Sequence, residues 1–110
     1  MPVSDEYMNY VIDQLDAVGP VQARRMFGGA GLYLDGLFFA LIAEDVLYFK
    51  VDDSNRPDFE AAGMSPFQPF PEKPYLMQYY EVPIEVLENR DTLREWAKKA
   101  LLVAEKKANK

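Results

Sequence analysis

Apolar positions near the N-terminus repeat at the spacing of one helix face. They recur every three or four residues, as in an amphipathic α-helix: Tyr7, Met8, Val11, Leu15 and Val18. Ser4 is a favourable N-cap, because its hydroxyl can accept a hydrogen bond from a backbone N–H of the first turn. Gly19 and Pro20 then supply a helix stop. The pattern predicts a first helix between Ser4 and Val18.

The middle of the chain predicts an antiparallel meander of three strands. The apolar runs cover residues 27–34, 37–43 and 46–51. Asp35-Gly36 and Glu44-Asp45 connect them, and Asp-Gly between apolar runs is a strong signal for a two-residue hairpin turn. In the third run, apolar residues alternate with Tyr48 and Lys50. That strand is therefore expected to have one buried face and one mixed face.

The C-terminal half predicts two further helices separated by extended chain. Residues 52–55 offer several caps for a short helix that runs through Pro57 to Ala62, and Gly63 ends it. Four prolines between residues 66 and 74 favour an edge strand or an irregular loop. Residues 75–82 predict another strand, and residues 83–87 a helical turn.

A long last helix is expected to begin near Asp91 or Thr92, where Thr92 and Glu95 have the spacing of a capping box. Its apolar positions are spaced for a single helix face: Leu93, Trp96, Ala97, Ala100, Leu101 and Ala104. Leu102 and Val103 extend this apolar arc, so they would either pack on a second subunit or fray. A homodimer is therefore one hypothesis.

The order of these elements indicates the fold class. One helix, three strands, a helix, two strands and a last helix, joined by tight hairpins, are typical of an α+β domain with an antiparallel sheet. The chain has 110 residues, no internal repeat and no linker. We therefore expect residues 1–110 to form one domain.

Composition excludes most catalytic chemistry. The chain has no Cys and no His, which removes disulfides, thiol nucleophiles, imidazole bases and His/Cys zinc sites. The N-terminus lacks the pattern of a signal peptide, and the longest apolar run, residues 37–43, is far shorter than the roughly 20 residues of a membrane span. We expect a soluble, cytoplasmic protein without a cofactor.

The charge of −6 is unevenly distributed. Residues 94–110 contain six basic and two acidic side chains, which leaves six basic and 16 acidic side chains in residues 1–93. An acidic body repels phosphates, so direct DNA binding by the chain alone is not expected. The basic C-terminal segment would either complement the helix dipole or dock on nucleic acid or an acidic partner.

The most distinctive stretch runs from Arg24 to Gly31. Two guanidinium groups, Arg24 and Arg25, beside the backbone of Phe27, Gly28 and Gly29 would suit a phosphate or a carboxylate. The spacing matches neither a P-loop nor a dinucleotide-binding loop. The alternative is a glycine-kinked strand, preceded by surface arginines, in which the glycines mark a bulge or a close backbone approach.

Two weaker patterns favour structural roles. The carboxylates of Asp52, Asp53, Asp58 and Glu60 could bind Mg²⁺ or Ca²⁺ but miss the spacing of a calcium-binding loop. They suit the start of a helix for dipole reasons alone, and no metal site is predicted. The pairs Tyr79-Tyr80 and Phe67/Phe70 lack interleaved basic residues, so packing is favoured over stacking on bases.

Several motifs together resemble the N-terminal domain of the TfoX/Sxy competence regulators. The segments that carry the resemblance are Arg25-Met26-Phe27-Gly28-Gly29-Ala30-Gly31-Leu32-Tyr33, Asp35-Gly36-Leu37-Phe38-Phe39-Ala40-Leu41, Leu47-Tyr48-Phe49-Lys50-Val51-Asp52, Asn55-Arg56-Pro57-Asp58-Phe59, Pro66-Phe67, Lys73-Pro74 and Tyr79-Tyr80-Glu81-Val82-Pro83. The resemblance covers nearly the whole chain, from about Tyr7 to Ala104.

The resemblance implies an α+β fold like that of secretion chaperones and a role in regulating the genes of natural transformation in bacteria. Such regulators work as co-activators beside the cyclic-AMP receptor protein, without a known catalytic activity. Full regulators carry a second, helical domain, for which 110 residues leave no room. A stand-alone copy would keep the fold without necessarily keeping the competence role.

Three function hypotheses follow. The first is a non-enzymatic regulatory domain that acts through a protein partner in transcription, such as a cyclic-AMP receptor-like protein or RNA polymerase. The second is a small-anion or ligand-binding domain that uses Arg24, Arg25 and the backbone of Gly28 to Gly31. An enzyme comes third, because no nucleophile and base can be paired.

Overall fold

A computed structural model describes residues 4–26, 29–66 and 78–108. The helices are α1 (Asp5–Gln14), α2 (Arg56–Ala61), α3 (Ile84–Leu87) and α4 (Arg90–Ala108), with a single 3₁₀ turn at Leu15–Ala17. The strands are β1 (Gln22–Met26), β2 (Gly29–Leu34), β3 (Leu37–Ala43), β4 (Val46–Lys50) and β5 (Tyr79–Glu81). The predicted Phe67/Phe70 pair and the start of the strand predicted at residues 75–82 lie outside the described residues.

The strands form one antiparallel sheet in chain order, β1-β2-β3-β4-β5. The α+β class predicted from the sequence is therefore confirmed. Both predicted hairpin turns are present: Asp35 and Gly36 have φ of 52° and 81°, and Glu44 and Asp45 have φ of 52° and 58°. Positive φ at both central positions is typical of the turns that match the twist of a hairpin.

The structure corrects the predicted element order by adding strand β1. It pairs with β2 from Gln22 opposite Tyr33 to Met26 opposite Gly29, so four strands, not three, precede α2. The segment Gln-Ala-Arg-Arg-Met does not alternate apolar and polar residues, and periodicity therefore gave no strand signal. Pairing with a neighbouring strand, not local propensity, makes this segment extended.

A β-bulge in β3 fixes which residues face the core. Leu32 pairs with Ala40 and the next residue, Tyr33, pairs with Phe38, so Phe39 has no partner in β2. Phe39 and Ala40 are both fully buried. An extra residue in one strand allows two consecutive side chains to enter the core. The glycines predict an irregularity in their own strand, but the extra residue, Phe39, belongs to the neighbouring strand β3.

The core lies between one face of the sheet and the helices. The sheet contributes Leu32, Phe39, Ile42, Leu47 and Phe49, and the helices contribute Val11, Leu15, Leu93, Ala97, Ala100 and Ala104. The stripe predicted for the last helix is thus the one that packs on the sheet. Val103 is also fully buried, whereas Leu102 is 57% exposed. Of the two residues that were expected to extend the apolar arc, only Leu102 therefore faces solvent.

Helix α4 begins earlier than predicted. Its first turn is capped by Asn89, whose Oδ1 accepts hydrogen bonds from the backbone N–H groups of Asp91 (3.1 Å) and Thr92 (3.2 Å). The predicted capping box of Thr92 and Glu95 is wrong, because Thr92 already lies inside the helix. Asn is as good an N-cap as Thr or better. At α1 the predicted cap is confirmed: Ser4 Oγ accepts from Tyr7 N–H at 3.2 Å.

Candidate functional site

A row of aromatic and cationic side chains crosses the sheet face turned away from the core. The rings of Tyr33 and Phe38 stack with centroids 5.0 Å apart and planes inclined by 20°. Phe38 and Tyr79 follow at 5.7 Å. The Arg24 guanidinium lies 5.4 Å from the Tyr33 centroid, and Lys50 Nζ lies 5.3 Å from Phe38 and 5.7 Å from Tyr79. We call these five residues the cation–aromatic row.

The pairing register of the strands brings the five residues of the row together. Phe38 reaches the outer face beside Tyr33 because the bulge at Phe39 shifts β3 by one residue. Lys50 pairs with Tyr79, so their side chains share a face across β4 and β5. Without the bulge, Phe38 and Tyr33 would not be direct neighbours on one face. The row is therefore a product of tertiary register, not of one sequence motif.

The rings of the row contact each other and the two cations. A cation placed over an aromatic face is held by the ring quadrupole, and stacked rings exclude water from their shared surface. Tyr79 is only 7% exposed, and burial raises its pKa to about 12. Burial also lowers the pKa of Lys50, and the positive charge of Lys107 adds to this effect.

The structure separates the two arginines of the predicted anion site. They occupy adjacent positions of β1, and adjacent strand residues point to opposite faces of a sheet. Arg24 lies over Tyr33 in the cation–aromatic row. Arg25 forms an ion pair with Asp5 at the start of α1. Their side chains therefore contact different partners on different faces.

Gly29, another residue of that predicted site, has a clear packing role. A Cβ on Gly29 would lie 2.4 Å from the carbonyl oxygen of Ile42, far inside any normal contact. The expected close backbone approach is thus found at this glycine. Phe27 and Gly28 lie outside the described residues, so their part in the predicted site stays a prediction.

Three of the four acidic side chains considered as metal ligands, Asp52, Asp53 and Asp58, have protein partners. Asp53 pairs with Arg56, and Asp58 accepts a hydrogen bond from Lys99 Nζ at 2.7 Å. Asp52 Oδ1 accepts from the backbone N–H of Ser54 at 2.8 Å and from its hydroxyl. This hydroxyl hydrogen bond is the main cause that lowers the Asp52 pKa. Within residues 4–26, 29–66 and 78–108, no three metal-ligating side chains are grouped for a metal ion.

Comparison with protein families assigns the fold to a known group. The family model of the TfoX N-terminal domain matches residues 13–104, which include all five residues of the cation–aromatic row. The chain belongs to the TfoX N-terminal domain family. No curated protein matches the chain. Among the helices that the structure describes in this TfoX N-terminal domain, none is long and apolar enough to cross a membrane.

Membership of the TfoX N-terminal domain family indicates a competence-related regulatory domain. The family is not a known enzyme family. Among the five residues of the row, the sequence of this TfoX N-terminal domain indicates only Arg24 as a candidate site residue. It does not indicate that Tyr33, Phe38, Lys50 and Tyr79 share one surface with it. The available signal was the alternation in β4, which predicted a mixed face containing Lys50. The positions of Phe38 and Tyr79 relative to Lys50 depend on register, which alternation does not specify.

Proposed function

We propose that this TfoX N-terminal domain is a non-enzymatic, cytoplasmic regulator that acts on transcription through a protein partner. The family match over residues 13–104 carries the proposal. The net charge of −6 supports a partner-mediated role, because an acidic chain gains little from the DNA backbone on its own. The partner class is a transcription protein, such as a cyclic-AMP receptor-like protein or RNA polymerase.

We propose the Arg24 end of the cation–aromatic row as the contact surface. Arg24 is exposed and lies 5.4 Å from the Tyr33 ring centroid, at the edge of the sheet face away from the core. Arg and Tyr are enriched among the residues that dominate binding energy at protein interfaces. A cation held on a ring is also pre-ordered, so less side-chain entropy is lost on binding.

The test is a pull-down from nuclease-treated lysate of the source organism, with bound proteins identified by mass spectrometry. Wild type, Arg24→Ala and Lys98→Ala are compared. Lys98 is an exposed α4 residue 3.9 Å from Glu95, so its loss matches the change in charge without touching the row. We expect wild type and Lys98→Ala to retain a transcription factor or a polymerase subunit, and Arg24→Ala to lose most of it.

Two results would contradict the proposal in different ways. Equal capture by Arg24→Ala and wild type would place the contact surface elsewhere on the domain. Sequence-specific DNA binding by the isolated chain at physiological salt would remove the need for a protein partner. Folding of each variant is checked by circular dichroism and by the fluorescence of the single tryptophan, Trp96.

A further inference from the structure

Strand β1 forms one edge of the sheet, and the residues that the structure describes leave its outer side open. The strand pairs with β2 along its whole length, from Gln22 to Met26. No other described segment forms backbone hydrogen bonds with it. Alternate residues of a strand direct their N–H and C=O groups to opposite edges. The far side of β1 therefore presents a row of backbone groups that can pair with another strand.

The opposite edge of the sheet, at β5, is covered by the chain itself. The backbone N–H of Glu81 donates to the carbonyl oxygen of Ser65 at 3.1 Å. Pro66 forms a bridge with Tyr80 on the side of β5 away from β4. Proline has no N–H to offer to a further strand, which makes this edge a poor site for pairing. In the part of the chain that the structure describes, β1 is therefore the edge that can accept a strand.

The core side of the open edge has apolar surface. Helix α1 reaches β1 at its first turn, where Asp5 forms an ion pair with Arg25. Met8 and Ile12 follow Asp5 by three and seven residues, so they lie on the same face of α1, and both pack half-buried against the core. Ala23 shares a face of β1 with Arg25 and is also half-buried against the core. A strand added to β1 would cover apolar groups on this side.

The outer side of the open edge has an exposed cation. Arg24 is exposed and lies 5.4 Å from the centroid of the Tyr33 ring, which is uncharged. Its neighbour Arg25 is paired with Asp5 on the other face. These two arginines are in the part of the chain, residues 1–93, that has 16 acidic and six basic side chains. An acidic residue beside Arg24 would therefore gain a favourable cross-strand pair.

A second copy of β1 fits this edge poorly. When two β1 strands overlap fully in antiparallel pairing, the arginines of one strand lie directly or diagonally opposite those of the other. Like charges in these positions destabilise a sheet, and charged residues on an edge strand are one means by which proteins avoid edge-to-edge association. Charge complementarity therefore favours an acidic strand from another protein.

We propose that β1 is the docking edge for an extended segment of a protein partner, which adds to the sheet as a further strand. The segment alternates acidic residues, beside Arg24 on the outer face, with apolar residues over Ala23 on the core side. Backbone hydrogen bonds along the edge supply affinity, and the alternating side chains supply specificity. This inference rests on the proposed function, because it describes how the partner would bind at the Arg24 surface.

The experiment is a titration of the full chain with a capped peptide of about six residues, the usual length of a strand, that alternates glutamate and valine. Binding and the hydrogen exchange of backbone amides are followed by NMR. We expect saturable binding and slower exchange in β1, with unchanged exchange in β5. The same peptide with lysine in place of glutamate should not bind, because its charge repels Arg24. The proposal is overturned if the glutamate peptide does not saturate, or if it binds without slowing exchange in β1.

Methylation of peptide nitrogens separates strand addition from a purely electrostatic contact. Methylating only the valine nitrogens, or only the glutamate nitrogens, removes the N–H groups along one edge of the peptide and keeps all its charges. We expect one of these two peptides to lose binding and the other to retain it. Equal binding by both would contradict backbone pairing with β1.

Variants of the protein test the charge complementarity. Arg24→Gln should weaken binding of the glutamate peptide by about two- to fivefold, the effect of losing one cross-strand pair of opposite charges. Lys98→Gln, which removes an α4 charge paired with Glu95, should leave the affinity unchanged. Equal affinities of the two variants would refute the role of Arg24. If exchange in β1 slows as the concentration of the protein alone rises, the edge belongs to a second copy and the proposal is wrong.

The results also separate this inference from the proposed function. Loss of the transcription protein by Arg24→Ala in the pull-down, with no protection of β1 by the peptide, would support the proposed function and refute strand addition. Protection of β1 by the peptide, with no transcription protein captured by wild type, would support strand addition and refute the proposed function.

Discussion

Gly29 lies so close to Ile42 that a methyl group at Gly29 would be 2.4 Å from the Ile42 carbonyl oxygen. The two residues belong to neighbouring strands, and Ala30, next to Gly29, is the direct partner of Ile42. The clash would fall on backbone atoms, which cannot move away without separating β2 from β3. A glycine that looked like part of an anion-binding loop is therefore required by sheet packing.

Replacing Gly29 by Ala should destabilise the fold by about 2 kcal/mol or more, as expected for strain imposed on a packed backbone. Urea unfolding followed by Trp96 fluorescence measures the change. The matched variant is Gly36→Ala, where φ is +81° and no atom lies within 4 Å of the added Cβ. There only the left-handed conformation is penalised, by about 1–2 kcal/mol. A Gly29→Ala variant with wild-type stability would contradict the packing role.

Asn55 should be one of the most sensitive polar residues of the domain. Asn55→Leu leaves the Lys50 carbonyl and the Asp52 N–H without their amide partner. An unsatisfied buried polar group costs about 1–3 kcal/mol, so we expect a loss of that size or more in the free energy of unfolding. Asp53→Asn, which affects only an exposed pair with Arg56, should change it by less than about 1 kcal/mol. Equal effects of the two substitutions would show that the Asn55 bridge is unimportant.

Phe59 connects α2 to the rest of the core. Its ring lies 4.7 Å from Trp96 in an edge-to-face arrangement and 5.9 Å from Tyr80, and it is 1% exposed. Phe59→Ala should cost about 3–5 kcal/mol through the cavity it leaves, and Phe59→Leu less than half of that. Trp96 emission should shift to longer wavelength in Phe59→Ala. An unchanged emission maximum with unchanged stability would contradict this role.

Stability should fall in alkaline solution. Burial raises the pKa of Tyr7 to about 12, partly opposed by the Leu47 backbone, and burial raises that of Tyr79 to about 12. An exposed tyrosine in the unfolded chain titrates near 10.0. Between pH 10 and 12 the unfolded chain therefore loses protons that the folded chain keeps. The free energy of unfolding decreases as pH rises through this window.

This pH dependence can be measured by urea unfolding at several pH values, with tyrosinate absorbance as an independent signal. Among the tyrosines that the structure describes, Tyr7 and Tyr79 should ionise late, and burial raises the pKa of Tyr48 as well. Tyr7→Phe and Tyr79→Phe should each make the decrease shallower, because the phenol that must ionise is absent. A decrease of the same steepness in both variants would assign the effect to other groups.

Some elements of the fold are determined by the local sequence pattern, and others by pairing with distant or neighbouring strands. Helices α1 and α4 and the turn at Asp35-Gly36 follow from periodicity and turn chemistry, which act over a few residues. Strand β1 could not be predicted, because Arg24 and Arg25 have no apolar alternation around them and are extended only through pairing with β2. The start of α4 was misplaced because two acceptable caps, Asn89 and Thr92, lie three residues apart.

The candidate site was predictable only in part. Arg24 was identified as a surface cation, and Lys50 as a residue of a mixed strand face. Their common surface depends on the extra residue Phe39 in β3, which turns Phe38 toward Tyr33. A one-residue change of register reverses the face of each side chain in a strand. No property of the local sequence around Phe38 specifies that shift.

The chain-order arrangement of the strands has a consequence for how the domain folds. Each of the first four strands pairs with the strand next to it in sequence, so three hairpins can form one after another without closing a long loop. Distant segments meet when β5 returns to β4 and when α4 covers β3, β4 and the turn at Leu15–Ala17. We expect hairpin formation to be early and the docking of α4 to complete the cooperative transition.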